Sequence, residues 1–145
     1  MKDFKKRLNE LIKESNINID QIKNYLNLKS PSIIYFWLDG TYAPKLKYLN
    51  KLANLFECSI DYLVGISNDF YETKTPHDTL PKFDERLKSI IENKKLTKTT
   101  LRKQNIISGS LYRSIFERKS DPTIETLLKL ADYLNISIDY LVGRE

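Results

Sequence analysis

The lysine and arginine side chains give the clearest indication of a chemical role, and they are unevenly distributed along the chain. Residues 1–69 hold 10 basic and 8 acidic side chains, whereas residues 82–145 hold 13 and 9. Five of the six arginines lie in the second of these segments. Because arginine and lysine bind phosphate oxygens, the second half is better equipped to contact a polyanion. The net charge of +5 is compatible with such a partner but does not require one.

Residues suited to catalysis or metal binding are scarce. The single histidine, His77, and the single cysteine, Cys58, cannot form a metal site by spacing, and the sequence has no glycine-rich phosphate loop. The carboxylates are scattered along amphipathic segments. We therefore predict no catalytic residues, no metal and no cofactor, and we expect that the protein is not an enzyme. Cys58 is expected to be buried, and His77 to be exposed in a linker.

A repeat dominates the organisation of the chain. The stretch SIDYLVG occurs at Ser59–Gly65 and again at Ser137–Gly143, 78 positions later. Similar residues continue upstream at the same offset, but near the start, where Phe4 matches Phe83, the offset is 79. One residue has therefore been gained or lost in the turn around residues 25–27. A fixed internal period is the signature of a duplicated structural unit.

The repeat predicts two domains, at residues 1–66 and 82–145. The segment 67–81 between them is polar, contains two prolines and is predicted to be a linker. Apolar residues recur at helical spacing and strand-like alternation is rare, so we predict an all-α fold with five short helices in each domain. In each domain the serine of SIDYLVG caps the last helix and the glycine ends it.

Capping residues also mark the starts of the earlier helices. Asn18 with Gln21 forms a predicted capping box at the second helix, and Thr97 caps the equivalent helix of the second domain. The third helix of the first domain is predicted to start at Ser30, with Pro31 in the first helical position. The second and third helices are thus separated by only a few residues, which is the helix-turn-helix arrangement.

Each repeat resembles the Cro and phage-repressor class of helix-turn-helix domain, the XRE type. The residues that carry the resemblance are, in the first copy, Leu28, Ser30, Ile33, FWLDG and the run from Leu49 to Gly65, and in the second copy Ile106, Ser108, Leu111 and the run from Phe116 to Gly143. Two features depart from the family pattern. Lys23 and Arg102 occupy a position that is usually small, and Asn27 and Asn105 replace the turn glycine, a substitution that a left-handed turn tolerates.

The resemblance implies two tandem lambda-repressor-like domains whose third helices lie in the major groove of double-stranded DNA. Transferred position by position, it predicts DNA contacts in the second copy by Lys98, Ser108, Ser110, Tyr112, Arg113, Arg118 and Lys119. In the first copy it predicts contacts by Ser32, Ile34 and Tyr35. Arg113 can present a bidentate fork to guanine, worth about 1–3 kcal/mol of discrimination, and Lys98, Arg118 and Lys119 can neutralise phosphates.

The third helix of the first copy, SPSIIYFWL, is apolar and aromatic and has no basic residue. We expect Ile33 and either Phe36 or Trp37 to face the core, which leaves one or two large side chains outside. An exposed apolar patch usually marks a partner surface. The predicted protein interface consists of Ile34, Phe36, Trp37 and Leu38. Dense core packing and apolar contact with thymine methyl groups are the alternatives for the same residues.

The main functional prediction is a sequence-specific, double-stranded DNA-binding transcription regulator, a repressor of the phage or mobile-element type. Because the two copies differ in their reading residues, the site on DNA is expected to be asymmetric. The alternative is a protein-binding adaptor, such as an antitoxin or a phage-encoded inhibitor, that uses the apolar third helix of the first domain. A homodimer or a protein partner through that domain is compatible with either. No membrane partner is expected, since no apolar run approaches about 20 residues, and the predicted location is the cytoplasm.

Overall fold

A computed structural model of the chain describes residues 2–70 and 77–145. Within these ranges the regular structure is helical, without a strand, so the all-α prediction is confirmed for the described residues. The chain divides into two compact units, Met1–Asp78 and Thr79–Glu145, which we call unit 1 and unit 2. None of the helices in the described ranges has the length and apolarity needed to span a membrane.

Each unit contains five helical segments in its described residues. Those of unit 1 are α1 (Lys2–Ser15), α2 (Ile19–Tyr25), α3 (Ser32–Asp39), α4 (Leu46–Leu55) and α5 (Ile60–Leu63). Those of unit 2 are α6 (Phe83–Asn93), α7 (Lys98–Lys103), α8 (Gly109–Tyr112), α9 (Ile124–Leu134) and α10 (Ile138–Val142), and α8 continues as a π-helical turn over Arg113–Glu117.

The predicted capping residues occupy the helix starts. Asn18 accepts a hydrogen bond from the Gln21 N–H while the Gln21 side chain accepts from the Asn18 N–H, which confirms the capping box. Thr97 caps α7 and Thr123 caps α9 by accepting a hydrogen bond from the backbone N–H three residues later. Each cap satisfies backbone N–H groups that have no partner inside the helix, so these starts are specified locally by the sequence.

The repeated stretch SIDYLVG builds the same joint in both units. Its serine caps the last helix, and its glycine has a positive φ. The Arg7 guanidinium donates to the Tyr62 carbonyl at 2.7 Å, and the Arg86 guanidinium donates to the Tyr140 carbonyl at the same distance. Each guanidinium also lies over the ring of that tyrosine. The stretch therefore ties the last helix of each unit to the first.

Unit 2 has an additional buried ion pair at this joint. Arg144 Nε lies 3.0 Å from Asp139 Oδ1, and the two side chains are only 1% and 5% exposed. The Arg144 N–H also donates to the Asp139 carbonyl. In unit 1 the position 78 residues before Arg144 is Ile66, which is 53% exposed. The two units are therefore closed by different interactions after the same seven residues.

The core of unit 1 is formed by one apolar face of each helix. Phe4 and Leu8 of α1 are buried, and Trp37 of α3 is 1% exposed, with its ring 5.7 Å from that of Tyr48 on α4. Cys58 is fully buried, as predicted. The described residues contain no group of three or more potential metal ligands.

The start of α3 differs from the prediction. The helix begins at Ser32, one residue after Pro31, the predicted first helical position, and Pro31 has φ −79° and ψ 0°. Ile34 and Trp37, three residues apart, face the core, whereas Ile33 is 37% exposed. The prediction that Ile33 faces inward is wrong, because six consecutive large apolar or aromatic residues, Ile33 to Leu38, do not indicate which side of the helix is buried.

His77 is not the exposed linker residue that the sequence predicts. It is half-buried, and its backbone is held by α4. Its carbonyl accepts hydrogen bonds from the amides of Asn50, at 2.7 Å, and Asn54, and its N–H donates to the Asn54 side chain. Six of the fifteen residues of the predicted linker, residues 71–76, lie outside the described residues, but His77, within the same segment, is anchored to unit 1.

Candidate nucleic-acid interface

The helix-turn-helix of unit 2 consists of α7, a short turn and α8. Asn105 has φ +56° in this turn, the left-handed conformation predicted for it. Ser108 accepts a hydrogen bond from the Leu111 N–H and thereby caps α8. Leu101 of α7 and Ile115 beyond α8 are buried. These two residues fix the helices against the core and leave the opposite side of α8 exposed.

Arg113 lies on that exposed side. It is the first residue of the π-helical turn, and no hydrogen bond or ion pair joins its guanidinium to any of residues 2–70 or 77–145. Ser110, one turn earlier, is also exposed, and its hydroxyl lies 3.2 Å from that of Ser108. An exposed guanidinium has five N–H donors in a fixed planar arrangement, which is what bidentate recognition of a base edge requires.

The π-helical turn changes how the third helix ends. The Arg118 N–H donates to the Arg113 carbonyl, five residues earlier, at 2.9 Å. In unit 1 the third helix ends at Gly40, with φ +83°, whereas in unit 2 the corresponding left-handed residue is Lys119, with φ +55°. Lys119 lies 79 residues after Gly40, although the segments on either side match at 78. The π-helical turn therefore makes the third helix of unit 2 one residue longer, and the loop that follows it is one residue shorter.

The two lysines predicted to contact phosphates both have partners within unit 2. Lys98 Nζ lies 4.1 Å from the centroid of the Tyr112 ring, and that ring packs against Phe116 with centroids 4.7 Å apart. Lys119 Nζ lies 3.9 Å from Asp84 Oδ2 on α6. Tyr112 is half-buried in this cluster, in contrast to the exposed Arg113 beside it.

These side chains line one groove, which has a volume of about 440 Å³. Its floor is apolar and aromatic, and its rim carries both lysines and carboxylates. The residues that line it are Asp84, Glu85, Lys88, Ile91, Glu92, Lys98, Leu101, Tyr112, Phe116 and Lys119. The carboxylates of α6 were not among the predicted site residues. A comparison of charges between the repeats could have found them, because at offset 79 their positions hold Lys5, Lys6 and Lys13.

The ionic contact between the first helix and the end of the third helix has opposite polarity in the two units. In unit 1, hydrogen bonds from the side chain and then the backbone of Thr41 lower the pKa of the Asp39 carboxyl below its ordinary value of 3.8, and the charge of Lys5 acts in the same direction. In unit 2 the anion is Asp84 on the first helix, and the cation is Lys119 after the third. The cation of this contact therefore lies on the first helix in unit 1 and after the third helix in unit 2.

The third helix of unit 1 exposes aromatic side chains. Tyr35 is 54% exposed, and Phe36 and Tyr42 form an exposed edge-to-face pair with ring centroids 5.3 Å apart. Ser32 is also exposed, and its hydroxyl lies 2.8 Å from that of Ser30. Ser32 and Tyr35, predicted to contact DNA, are thus accessible on α3.

Two residues predicted for a binding surface of unit 1 are instead core residues. Ile34 is 0% and Trp37 is 1% exposed. Ile34 can therefore contact neither a base nor a protein partner in the folded unit, and Trp37 is removed from the predicted interface. Leu38 is half-buried, and its carbonyl accepts a hydrogen bond from Asn9 of α1. Of the predicted interface, Phe36 is the residue that remains largely accessible.

Comparison with known proteins assigns a domain class to part of the chain. A family model described as Helix-turn-helix matches residues 87–141, which lie within unit 2 and make up fewer than half of the residues. This segment is an XRE-type helix-turn-helix, the class of domain with which transcription regulators bind double-stranded DNA. The comparisons with curated proteins and with solved structures gave no match.

Proposed function

We propose that the chain is a sequence-specific DNA-binding repressor of the phage or mobile-element type, in which units 1 and 2 are tandem helix-turn-helix domains. The observation that carries the proposal is the exposed Arg113 guanidinium on the third helix of the segment matched by the family model. Ser110 lies on the same accessible side. Direct readout of a guanine by Arg113 supplies specificity, and neighbouring basic residues supply affinity that does not depend on sequence.

Unit 1 contributes a different surface to this function. Its third helix exposes Ser32 and Tyr35 but no arginine or lysine. A site read by both units is therefore asymmetric, with guanine recognition at the half-site of unit 2. Repression, the phage or mobile-element origin and the cytoplasmic location follow from the resemblance of both repeats to the Cro and phage-repressor class.

The test is a footprint on the DNA that flanks the protein's own gene, since regulators of this class often control themselves. Wild-type protein should protect a discrete site. Arg113→Ala should reduce discrimination at one base pair by about 1–3 kcal/mol. Arg113→Lys keeps the charge but removes the fork, so it should retain affinity for DNA and lose discrimination. Unchanged protection and specificity in both variants would remove Arg113 from the reading role.

A protein-binding adaptor is the second candidate, favoured by the exposed aromatic residues of unit 1. Phe36 is 41% and Tyr42 is 61% exposed, and the two rings contact each other. A large exposed aromatic pair is typical of partner surfaces. In this case the partner is a second copy of the chain or another protein.

Variants of the full chain separate the two candidates. Phe36→Ala combined with Tyr42→Ala should abolish self-association in light scattering, or capture of a partner in a pull-down, and leave the footprint intact. Phe70→Ala, which also removes a half-exposed aromatic ring of unit 1, is the matched control. If the double variant and the control behave alike in both assays, the aromatic pair has no role as a protein interface.

A further inference from the structure

We propose that Asp84 limits the DNA affinity of unit 2 by holding Lys119 in an intramolecular ion pair that a phosphate must displace. The inference rests on the proposed DNA-binding function and concerns the regulation of the same surface. It follows from the contacts of the groove between α6 and the third helix, in which Lys119 is one of the residues expected to bind phosphate.

The unequal burial of the two partners gives the ion pair its effect. The Lys119 side chain is 59% exposed, whereas that of Asp84 is only 14% exposed. When Lys119 turns toward a phosphate, the Asp84 carboxylate remains in a largely desolvated position without that ammonium group. The first turn of α6 favours an anion, so what is lost is the single ionic contact with Lys119, and the separation of the pair opposes binding to that extent.

The position of Asp84 also opposes the approach of DNA phosphates in a second way. Asp84 and Glu85 lie in the first turn of α6, and Glu92 lies two turns further along the same groove. Negative charge beside the lysines that approach the DNA backbone repels phosphates over a distance of about 10 Å at 0.1 M salt. Unit 1 lacks this feature because the residue that corresponds to Asp84 is Lys5.

Arg113 is not restrained in this way. Its guanidinium has no ion-pair partner in the described part of the chain, whereas Lys119 is paired with Asp84. Asp84 is therefore expected to reduce the affinity that comes from phosphate contacts and to leave base discrimination unchanged. Because phosphate contacts contribute to specific and non-specific complexes alike, Asp84 is expected to weaken both by the same factor.

The test measures binding of the full chain to a labelled duplex of random sequence, about 30 base pairs long, by fluorescence anisotropy at about 50 mM salt. Asp84→Asn removes the charge and keeps the shape, and it should tighten binding about two- to fivefold, the range expected for one ion pair. Glu85→Gln is the matched control, because it makes the same charge change in the same helical turn but has no ion pair with Lys119. Its effect should be less than half as large.

A double-variant comparison tests whether Asp84 acts through Lys119. Lys119→Ala alone should weaken binding, and in that background Asp84→Asn should have no more effect than Glu85→Gln. The gain from Asp84→Asn should also shrink at about 200 mM salt, where the phosphate contacts contribute less. Circular dichroism of each variant verifies that α6 and the rest of the fold are retained.

Distinct outcomes overturn the inference and the proposed function. The inference fails if Asp84→Asn and Glu85→Gln tighten binding equally, if the gain persists without Lys119, or if Lys119→Ala binds as well as wild type. In those cases wild-type protein still binds DNA and the proposed function stands. If neither wild-type protein nor any variant binds a duplex at low salt, it is the proposed function that fails.

Discussion

The buried ion pair between Arg144 and Asp139 leads to a quantitative prediction about the stability of unit 2. Arg144→Ala leaves the Asp139 carboxylate, which is 5% exposed, without the guanidinium at 3.0 Å. Removal of one partner of a buried ion pair destabilises a protein by about 3–5 kcal/mol. A unit of this size has a total stability of only about 3–10 kcal/mol at 0.05–0.15 kcal/mol per residue. The substitution should therefore leave unit 2 marginally stable or unfolded.

The single tryptophan makes this effect measurable unit by unit. Trp37 is the only tryptophan of the chain and is buried in unit 1. Its fluorescence therefore reports unit 1, while far-ultraviolet circular dichroism reports the helices of both units. With a urea dependence of about 1 kcal/mol per M, the part of the circular dichroism transition that belongs to unit 2 should move down by about 3 M or be lost. The fluorescence transition should stay in place.

Two control variants distinguish the effect of burying an unpaired charge from the effect of losing side-chain packing. Ile66→Ala changes the corresponding, exposed position of unit 1 and should alter stability by less than about 0.5 kcal/mol. The combined replacement Arg144→Met with Asp139→Leu removes both charges and should recover most of the loss, because no uncompensated charge is then buried. A loss below about 1 kcal/mol in Arg144→Ala would refute the reasoning, as would an equal shift of the fluorescence and circular dichroism transitions.

Three further predictions test the geometry of individual positions. Ile34→Ala should cost unit 1 about 2–5 kcal/mol in urea unfolding, whereas Ile33→Ala should cost less than about 1 kcal/mol, because only Ile34 is buried. In an NMR titration the Asp39 carboxyl should titrate below 3.8, and Thr41→Ala should raise its pKa. Because the folded-state pKa is lowered, the stabilisation from this group is present above the ordinary pKa and is lost as the pH falls through the lowered value. Gly143→Ala should destabilise unit 2 in thermal unfolding by more than about 1 kcal/mol, since φ is +91° and a Cβ there would lie 2.7 Å from a proline side chain.

Much of the helical framework could be predicted because it depends on interactions between residues close in the chain. Ser59 and Ser137 cap their helices through N–H groups three residues away, and Asn18 and Gln21 bond to each other within one turn. Such contacts are specified by spacing alone. The all-helical fold and the helix-turn-helix of unit 2 could be predicted from the sequence for the same reason.

The buried face of α3 could not be predicted in the same way. Ile33, Ile34, Tyr35, Phe36 and Trp37 are consecutive and large, so no polar residue indicates the exposed side. Helical periodicity identifies a buried face only when apolar residues lie on one side of the helix and polar residues on the other. Tertiary packing selected Ile34 and Trp37 as the core residues of α3, and the Trp37 ring lies against Tyr48 of α4.

The sequence by itself determined the repeat, the helical content, the capped helix ends and the concentration of arginine in the second half. The tertiary structure decided which of the basic residues are available. Arg113 is exposed, Lys119 is paired with Asp84, 35 positions earlier, and Lys98 lies over the Tyr112 ring. These contacts join residues that are distant in the chain, and they depend on how α6, α7 and the third helix pack together. Local spacing carries no information about such distances, so only the folded chain reveals which cations are held by its own side chains.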